Sequence, residues 1–473
     1  PTSAIARPVS SVKASSTSIT VASATGLFGG MLVTGPGIPA NTRISNLNGT
    51  TITLTNAATD SLTENLTFIP TYTNGTVLSQ GTLVNNTQSS VSMGLGAFNL
   101  NGGSFQSSVA IAGANAQLAG VQLTNSYGVV SGTSSIEFAG NATLGYGLQN
   151  NGGDRRLFNN LTSPAVLTFS TQPVQLTENT TVSRTLTLAG TGQTVISAAI
   201  TPMAGATTNT ASGLNYFGSG SLALTGVNTF TGSLTIGGGA TTLSGAGVLA
   251  AGASVSLVIS SAATATSTVT TTTSSGAYSV SAGMYTSITG ISGSGLGSGA
   301  FVSAIASSTT LTIPNSVTQT AGTYNFLGVV NAFGGATLTL DNSVTNTANR
   351  LTNRQIFLSG ANLNLIGNAT AATTEGTLAS AGALTLGSGQ SVITLTSNGF
   401  ANTLNLGALT PFQGGALNVV ATNASLGAAA GNQIFFNTAP TLTPATTGIL
   451  ARVTVGGTDF ASYNSTGSGT NTL

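Results

Sequence analysis

Histidine, cysteine and tryptophan are all missing from this 473-residue chain. Without histidine there is no Ser-His-Asp triad, no imidazole base and no histidine-based metal cluster. Without cysteine there is no disulfide framework and no thiolate metal site. Charge is nearly missing too: 4% of residues are charged, against about 25% in an ordinary globular protein. Thr, Ser, Asn and Gln must therefore cover the outside. Disordered chains combine low hydrophobicity with high net charge. This one is 40% hydrophobic with net charge +1, so it is expected to fold.

The nine basic residues, Lys13 and eight arginines, are scattered and matched by eight acids. No basic patch for phosphates is present, and nucleic acid is not an expected partner. Asp154-Arg155-Arg156 is expected to form a local ion pair. No stretch approaches the roughly 18 apolar residues of a membrane helix, and no membrane insertion is expected. A signal peptide is absent at Pro1, so a secreted protein would be a mature form with its leader removed.

The eight carboxylates are Asp60, Glu64, Glu137, Asp154, Glu178, Asp341, Glu375 and Asp459. Asp60 and Glu64 alone lie close together in sequence and suit solvated turn residues. Acids on different coils of a repeating fold can still meet. Calcium needs six to eight oxygens, usually with several carboxylates, and no Asp-rich loop exists. Asn-x-Ser/Thr triplets at Asn65, Asn141, Asn160, Asn368 and Asn464 fit chance in so Asn- and Thr-rich a chain. Lys13 suits an ordinary exposed lysine better than an isopeptide donor. No catalytic, cofactor or metal residue is assigned, and no enzyme is expected.

Helical periodicity is close to absent, and strand alternation is everywhere. Thr51-Ile52-Thr53-Leu54-Thr55, Thr185-Leu186-Thr187-Leu188, Thr337-Leu338-Thr339-Leu340, Ala361-Asn362-Leu363-Asn364-Leu365 and Val392-Ile393-Thr394-Leu395-Thr396 each put one face into a core. Gly, Asn and Ser clusters mark the turns. Short, Gly-punctuated strands suit a sandwich array, a propeller or a parallel β-helix. Composition favours the β-helix, because Asn, Thr and Ser tolerate stacking in ladders whereas rows of like charge repel. At roughly 20–25 residues per coil, about 15 coils and a length of about 70 Å are expected.

An internal repeat adds a second architecture. Gly30-Met31 leads through Thr34 to Pro39 and Thr50-Thr51-Ile52-Thr53-Leu54 to Leu66-Thr67-Phe68, and Gly283-Met284 leads through Gly293 to Leu296 and Thr309-Thr310-Leu311-Thr312-Ile313 to Tyr324-Asn325-Phe326. These read as two copies of one small β module. The expected division is an N-terminal arm at 1–15, a first module at 16–75, solenoid at 76–262, an inserted module at 263–329 and solenoid at 330–473. The Ser/Thr-rich run 264–275 reads as the lead-in to the second copy or as a flexible linker.

Gly218-Ser219-Gly220-Ser221-Leu222-Ala223-Leu224-Thr225-Gly226-Val227-Asn228-Thr229-Phe230-Thr231-Gly232, followed by Ser233-Leu234-Thr235-Ile236, resembles the autotransporter-associated β-strand repeat of large bacterial surface proteins. Gly335 to Asn342, Leu384 to Gln390 and Gly457 to Tyr463 look like the same class, so the resemblance runs from about 160 onwards, less the inserted module. It implies a right-handed parallel β-helix outside the cell and carries no catalytic residues over. The terminal membrane barrel of an autotransporter has no counterpart before Gly467-Ser468-Gly469. That leaves membrane anchoring through the C-terminus in doubt.

The expected function is an extracellular structural protein, a self-assembling subunit of a filament, sheath or matrix fibre whose partners are copies of itself. Uncapped solenoid edges and near-zero net charge motivate it, with contact through stacked ends or the arm at 1–15. The alternative is an adhesin or glycan-binding passenger recognising cell-surface or matrix polysaccharide. Ice binding through Thr-x-Thr arrays fits less well, because the Thr pairs are irregularly spaced.

Overall fold

The computed structural model describes residues 5–27, 31–61, 64–69, 75–86, 96–111, 118, 120–140, 144–203, 210–260, 263–272, 276–286, 300–319, 321–411, 414–443 and 448–463. Asn141, Asn464, Gly30 and residues 293–296 and 467–469 of the motifs above lie outside them. Nearly everything described is β structure. Two long sheets of eleven strands each run the length of a β-solenoid of about eleven turns. A third face carries six strands from Thr76–Leu78 to Ile200–Thr201, then three more from Thr373–Glu375 to Asn432–Phe436.

The alternation read from sequence sets the register. Leu338, Leu363, Ile393 and Val419 stand opposite one another in successive coils, as do Leu340, Leu365 and Leu395, and all are buried. Each contributes roughly 1.5–3 kcal/mol by leaving water. Phe138 and Phe169 stack in the same way, with centroids 5.8 Å apart, and Phe98 of the third face packs on Phe138 across the core at 6.5 Å. Polar residues make matching ladders on the outside: Gln122 donates to Gln149 at 2.5 Å, and Gln149 to Gln175 at 2.7 Å. Uncharged amides both give and accept, so like can stack on like.

The coil count is lower than the sequence reading expects because most coils are longer. Tyr127 pairs with Arg156, 29 positions on, and Asn362 with Val392, 30 positions on. About eleven coils at a strand spacing of about 4.8 Å span about 50 Å, not 70.

The Gly-x-Asn-Thr-Phe-x-Gly segment turns a corner between the two long sheets. Asn228 is buried there and ties three coils together. Its Oδ1 accepts the Ile200 amide at 3.2 Å, and its Nδ2 donates to Gly226 O and Val248 O at 2.9 Å each.

Both repeat copies pair their strands alike. In the first, Ile5–Val12 lies against Asn65–Ile69, Leu32–Thr34 flanks Asn65–Ile69, and Ser18–Val21 and Ile44–Asn48 flank Thr51–Leu54. In the second, Ser254–Ile259 lies against Gly322–Leu327, Tyr285–Thr286 flanks Gly322–Leu327, and Ala263–Thr270 and Ala304–Ile305 flank Thr310–Gln319. Met31 and Met284, and Phe68 and Phe326, are buried at equivalent places.

Two boundaries are thereby corrected. The expected arm at 1–15 contains the first strand of its own module, Ile5–Val12, which joins both parts of that module's sheet. The inserted module begins at Ser254 rather than 263, because its first strand alternates apolar and polar like a solenoid strand. The run 264–275 includes strand residues of Ala263–Thr270, so it is part of the module rather than a linker.

Candidate assembly ends and the buried charge cluster

The two ends of the solenoid differ. Among the described residues, the first-coil strands Thr76–Leu78 and Thr82–Asn85 each have a neighbour on one side only. Each carries an outward valine, Val77 at 59% exposure and Val84 at 52%. No charged side chain stands on either strand, although charged or proline residues are what usually blunts a free edge.

The expectation that the far end is uncapped is corrected for one face only. Leu409–Pro411 and Asn432–Phe436, the outer strands of the other two faces, each have a neighbour on one side only among the described residues. The second long sheet ends in a hairpin, Val453–Val455 with Asp459–Phe460, and beside it lies a second hairpin, Leu442–Thr443 with Ile449–Leu450. Gly456 and Gly457 take positive φ at the first turn (62° and 78°), which glycine permits at no steric cost. Leu450, Ala461 and Tyr463 close the core, with the Tyr463 ring 5.7 Å from Phe436. The closure is made of antiparallel strands, so a search for a capping helix misses it. Phe460 remains 70% exposed on its outside.

The charges singled out by sequence do not converge. Asp60 and Glu64 are exposed, and Asp60 accepts the Ser61 amide at 2.8 Å, which suits turn residues. Lys13 is exposed on the turn after the first strand. The Asp154-Arg155-Arg156 trio forms no local ion pair. Asp154 instead accepts the Thr185 amide of the next coil at 2.8 Å, and Arg155 donates to Asn151 O. The ion pair found among the described residues is Arg184 with Glu178, bidentate at 2.6 and 2.8 Å. No group of three or more Asp or Glu side chains among the described residues is placed to hold a metal ion.

A cluster that sequence reasoning missed lies where the inserted module leaves and rejoins the solenoid. Arg350, fully buried, donates to Asn342 Oδ1 and to the carbonyls of Gly245, Gly247, Asp341 and Thr345, at 2.7 to 3.1 Å. Arg354 is 3% exposed and donates to Ala250 O, Gly232 O and Phe230 O at 2.8, 2.6 and 2.7 Å, its guanidinium 5.3 Å from the Phe230 ring centroid. Burial lowers its pKa to about 9, so it is still a cation at neutral pH. Glu375 accepts the Arg350 and Leu351 amides at 2.8 and 2.9 Å. Burial pushes its pKa up to about 7 against the pull of those amides and of the Arg350 charge.

The cluster's chemistry is that of a clamp. Both guanidiniums face backbone carbonyls of the coil before the insertion, and their fork geometry satisfies several acceptors at once. The carboxylate faces two adjacent amides of the coil before its own, with no second acid beside it. Register across the insertion is unbroken, Leu234 pairing with Val330 and Ala240 with Thr337.

No family model, curated protein or solved structure matches the chain. The resemblance to the autotransporter-associated repeat therefore rests on the quoted residues alone. No helix among the described residues is long and apolar enough to cross a membrane.

Proposed function

We propose that this protein is a non-catalytic extracellular structural subunit that assembles with copies of itself into a surface filament, sheath or matrix fibre. The observation that carries the proposal is the first coil, where two edge strands bear exposed Val77 and Val84 and no charge. Unprotected edges pair with other strands, and a net charge of +1 supplies little repulsion between copies. Exposed Phe460 at the closed end gives an apolar counterpart for end-to-end contact.

The test is negative-stain electron microscopy of the purified chain beside a Val77→Lys, Val84→Lys double variant. The expected result is fibres with a regular axial repeat for the parent and isolated rods for the variant. Deleting residues 1–15 is the poorer experiment, since it removes a strand of the first module. Isolated rods from the parent at every concentration overturn the filament and favour the adhesin. Fibres that survive both lysines move the contact to the modules.

A further inference from the structure

Granted the self-assembly proposed above, we infer that two copies of this chain join head to head, their first coils pairing edge to edge across a two-fold axis. In the first coil Gly81 O accepts the Ser104 amide and Asn85 O the Ser108 amide, at 2.9 Å each. Successive residues of a parallel strand direct their N–H and C=O groups to opposite sides. Thr82 and Val84 therefore point theirs away from the next coil, out of the end of the solenoid. Both side chains are exposed as well.

The far end of another copy does not fit this edge. The Leu384 amide donates to Ala408 O at 2.8 Å, so the outward positions of the strand beside it are Leu409 and Pro411, and proline has no N–H to give. On the third face the outward positions of Asn432–Phe436 are partly taken. The Asn432 amide donates to Ser425 O at 3.2 Å, Asn432 O accepts the Gly427 amide at 2.8 Å, and Phe436 O accepts the Tyr463 hydroxyl at 3.5 Å. On the remaining face the outer strand of the hairpin carries Asp459, a charge of the kind that blunts an edge. Among the described residues, the matching edge is the first coil of another copy.

A two-fold axis through Leu83 runs the two strands antiparallel and sets Thr82 of one copy opposite Val84 of the other. Such opposed residues exchange both N–H···O bonds, as the hydrogen-bonded pairs of an antiparallel ladder do, and the outward groups of both residues are satisfied. Their side chains meet on the outer face as a β-branched cross-strand pair. On the inner face Leu83, partly buried against the core, meets its own copy and covers the core that the first coil leaves open. A slip of one residue sets Leu83 against Val84, an inward side chain against an outward one. An isologous contact brings each residue towards its own kind, so a charge near the axis would face its own sign, and residues 75–86 carry none. Fibres built this way alternate in direction, with far ends meeting each other through exposed Phe460.

The experiment is oxidative cross-linking of the full chain, read on non-reducing gels. The chain has no cysteine, so a disulfide forms only where thiols are introduced. Leu83→Cys puts two thiols at a non-hydrogen-bonded pair with Cα atoms roughly 4.5 Å apart, within the span of a disulfide. The expected result is that most of this variant runs as a dimer, seen in negative stain as a double-length rod. Thr82→Cys mixed with Val84→Cys should give heterodimers from exposed positions that leave the core untouched. Val77→Cys, exposed on the neighbouring strand and off the axis, should stay monomeric. Either expected product supports the pairing, and the absence of both overturns it. Leu83→Cys linking to Phe460→Cys in a mixture also overturns it, since that order is head to tail, as does Val77→Cys dimerising as readily as Leu83→Cys. Double-length rods without longer fibres keep this contact and overturn the filament, whereas fibres whose chains resist every cross-link keep the filament and overturn this contact.

Discussion

Replacing Arg354 by alanine is expected to loosen the solenoid at one place and leave the rest intact. The side chain closes three carbonyls, Ala250 O, Gly232 O and Phe230 O, with donors at 2.6 to 2.8 Å. It also covers Phe230, which is fully buried. A buried acceptor left without a donor costs about 1–3 kcal/mol, and water entering the vacated volume recovers part of that. The net loss is set at about 3–5 kcal/mol, felt locally, because in a solenoid each coil touches only its neighbours. Hydrogen exchange followed by mass spectrometry reads this directly. Opening that is easier by about 3 kcal/mol lowers protection about a hundredfold in 230–250 and Val330–Phe333. The coils from Tyr127–Gly132 to Val166–Phe169 and the strand Gly415–Thr422 should be unchanged. Arg354→Lys keeps the charge but not the fork and should lie between the two. Unaltered protection in 230–250 refutes the clamp, and protection lost evenly along the whole chain refutes the locality.

Two further outcomes follow from the same region. Glu375 has a folded pKa of about 7 against an ordinary value of 4.5, so the folded protein holds more protons between those values. Its contribution is fully present below about pH 4.5 and is lost as the pH rises through 7. The urea midpoint of the parent should fall across that window, by up to about 3 kcal/mol of stability. Glu375→Gln should flatten the slope, and an identical slope in the variant refutes the assignment. A Cβ at Gly328 would sit 2.0 Å from Thr231 O, and one at Gly252 would sit 1.9 Å from Gly328 O. Gly328→Ala should therefore force the chain apart where the module leaves and returns, and limited proteolysis should then release the module. A protease-resistant Gly328→Ala variant counts against that close approach.

Strand class and core face were legible wherever alternation is strong. Thr337–Asp341, Asn362–Ile366 and Gly389–Thr396 fall where Leu-x-Leu or Ile-x-Leu patterns place them. Val255, Leu257 and Ile259 were misread because alternation names the face of a strand and not its neighbour: the same pattern serves a parallel coil and an antiparallel module. The strand Ile5–Val12 has a proline and an arginine in its middle and so reads as an arm. The charge cluster had no local signal at all. Arg350 and Glu375 stand 25 positions apart, which is one coil, and without the coil length nothing in the sequence aligns them. The Asp154 trio failed in the opposite sense, since adjacency in sequence suggested a pair while the carboxylate serves an amide one coil away.

The unbroken register across the insertion has a kinetic side. Leu234 and Val330, which must pair, are separated by 96 positions, and closing so long a loop slows assembly of the sheet. The module's first and last strands are themselves partners, with Ser254 opposite Leu327. Once the module has folded, the path from Leu234 to Val330 runs through only about 23 positions, the rest being spanned by that one pairing. The entropy saved is about 1 kcal/mol. The growing solenoid then meets a detour no longer than an ordinary coil, and a domain of some seventy residues is carried on its side without delaying the strand that follows.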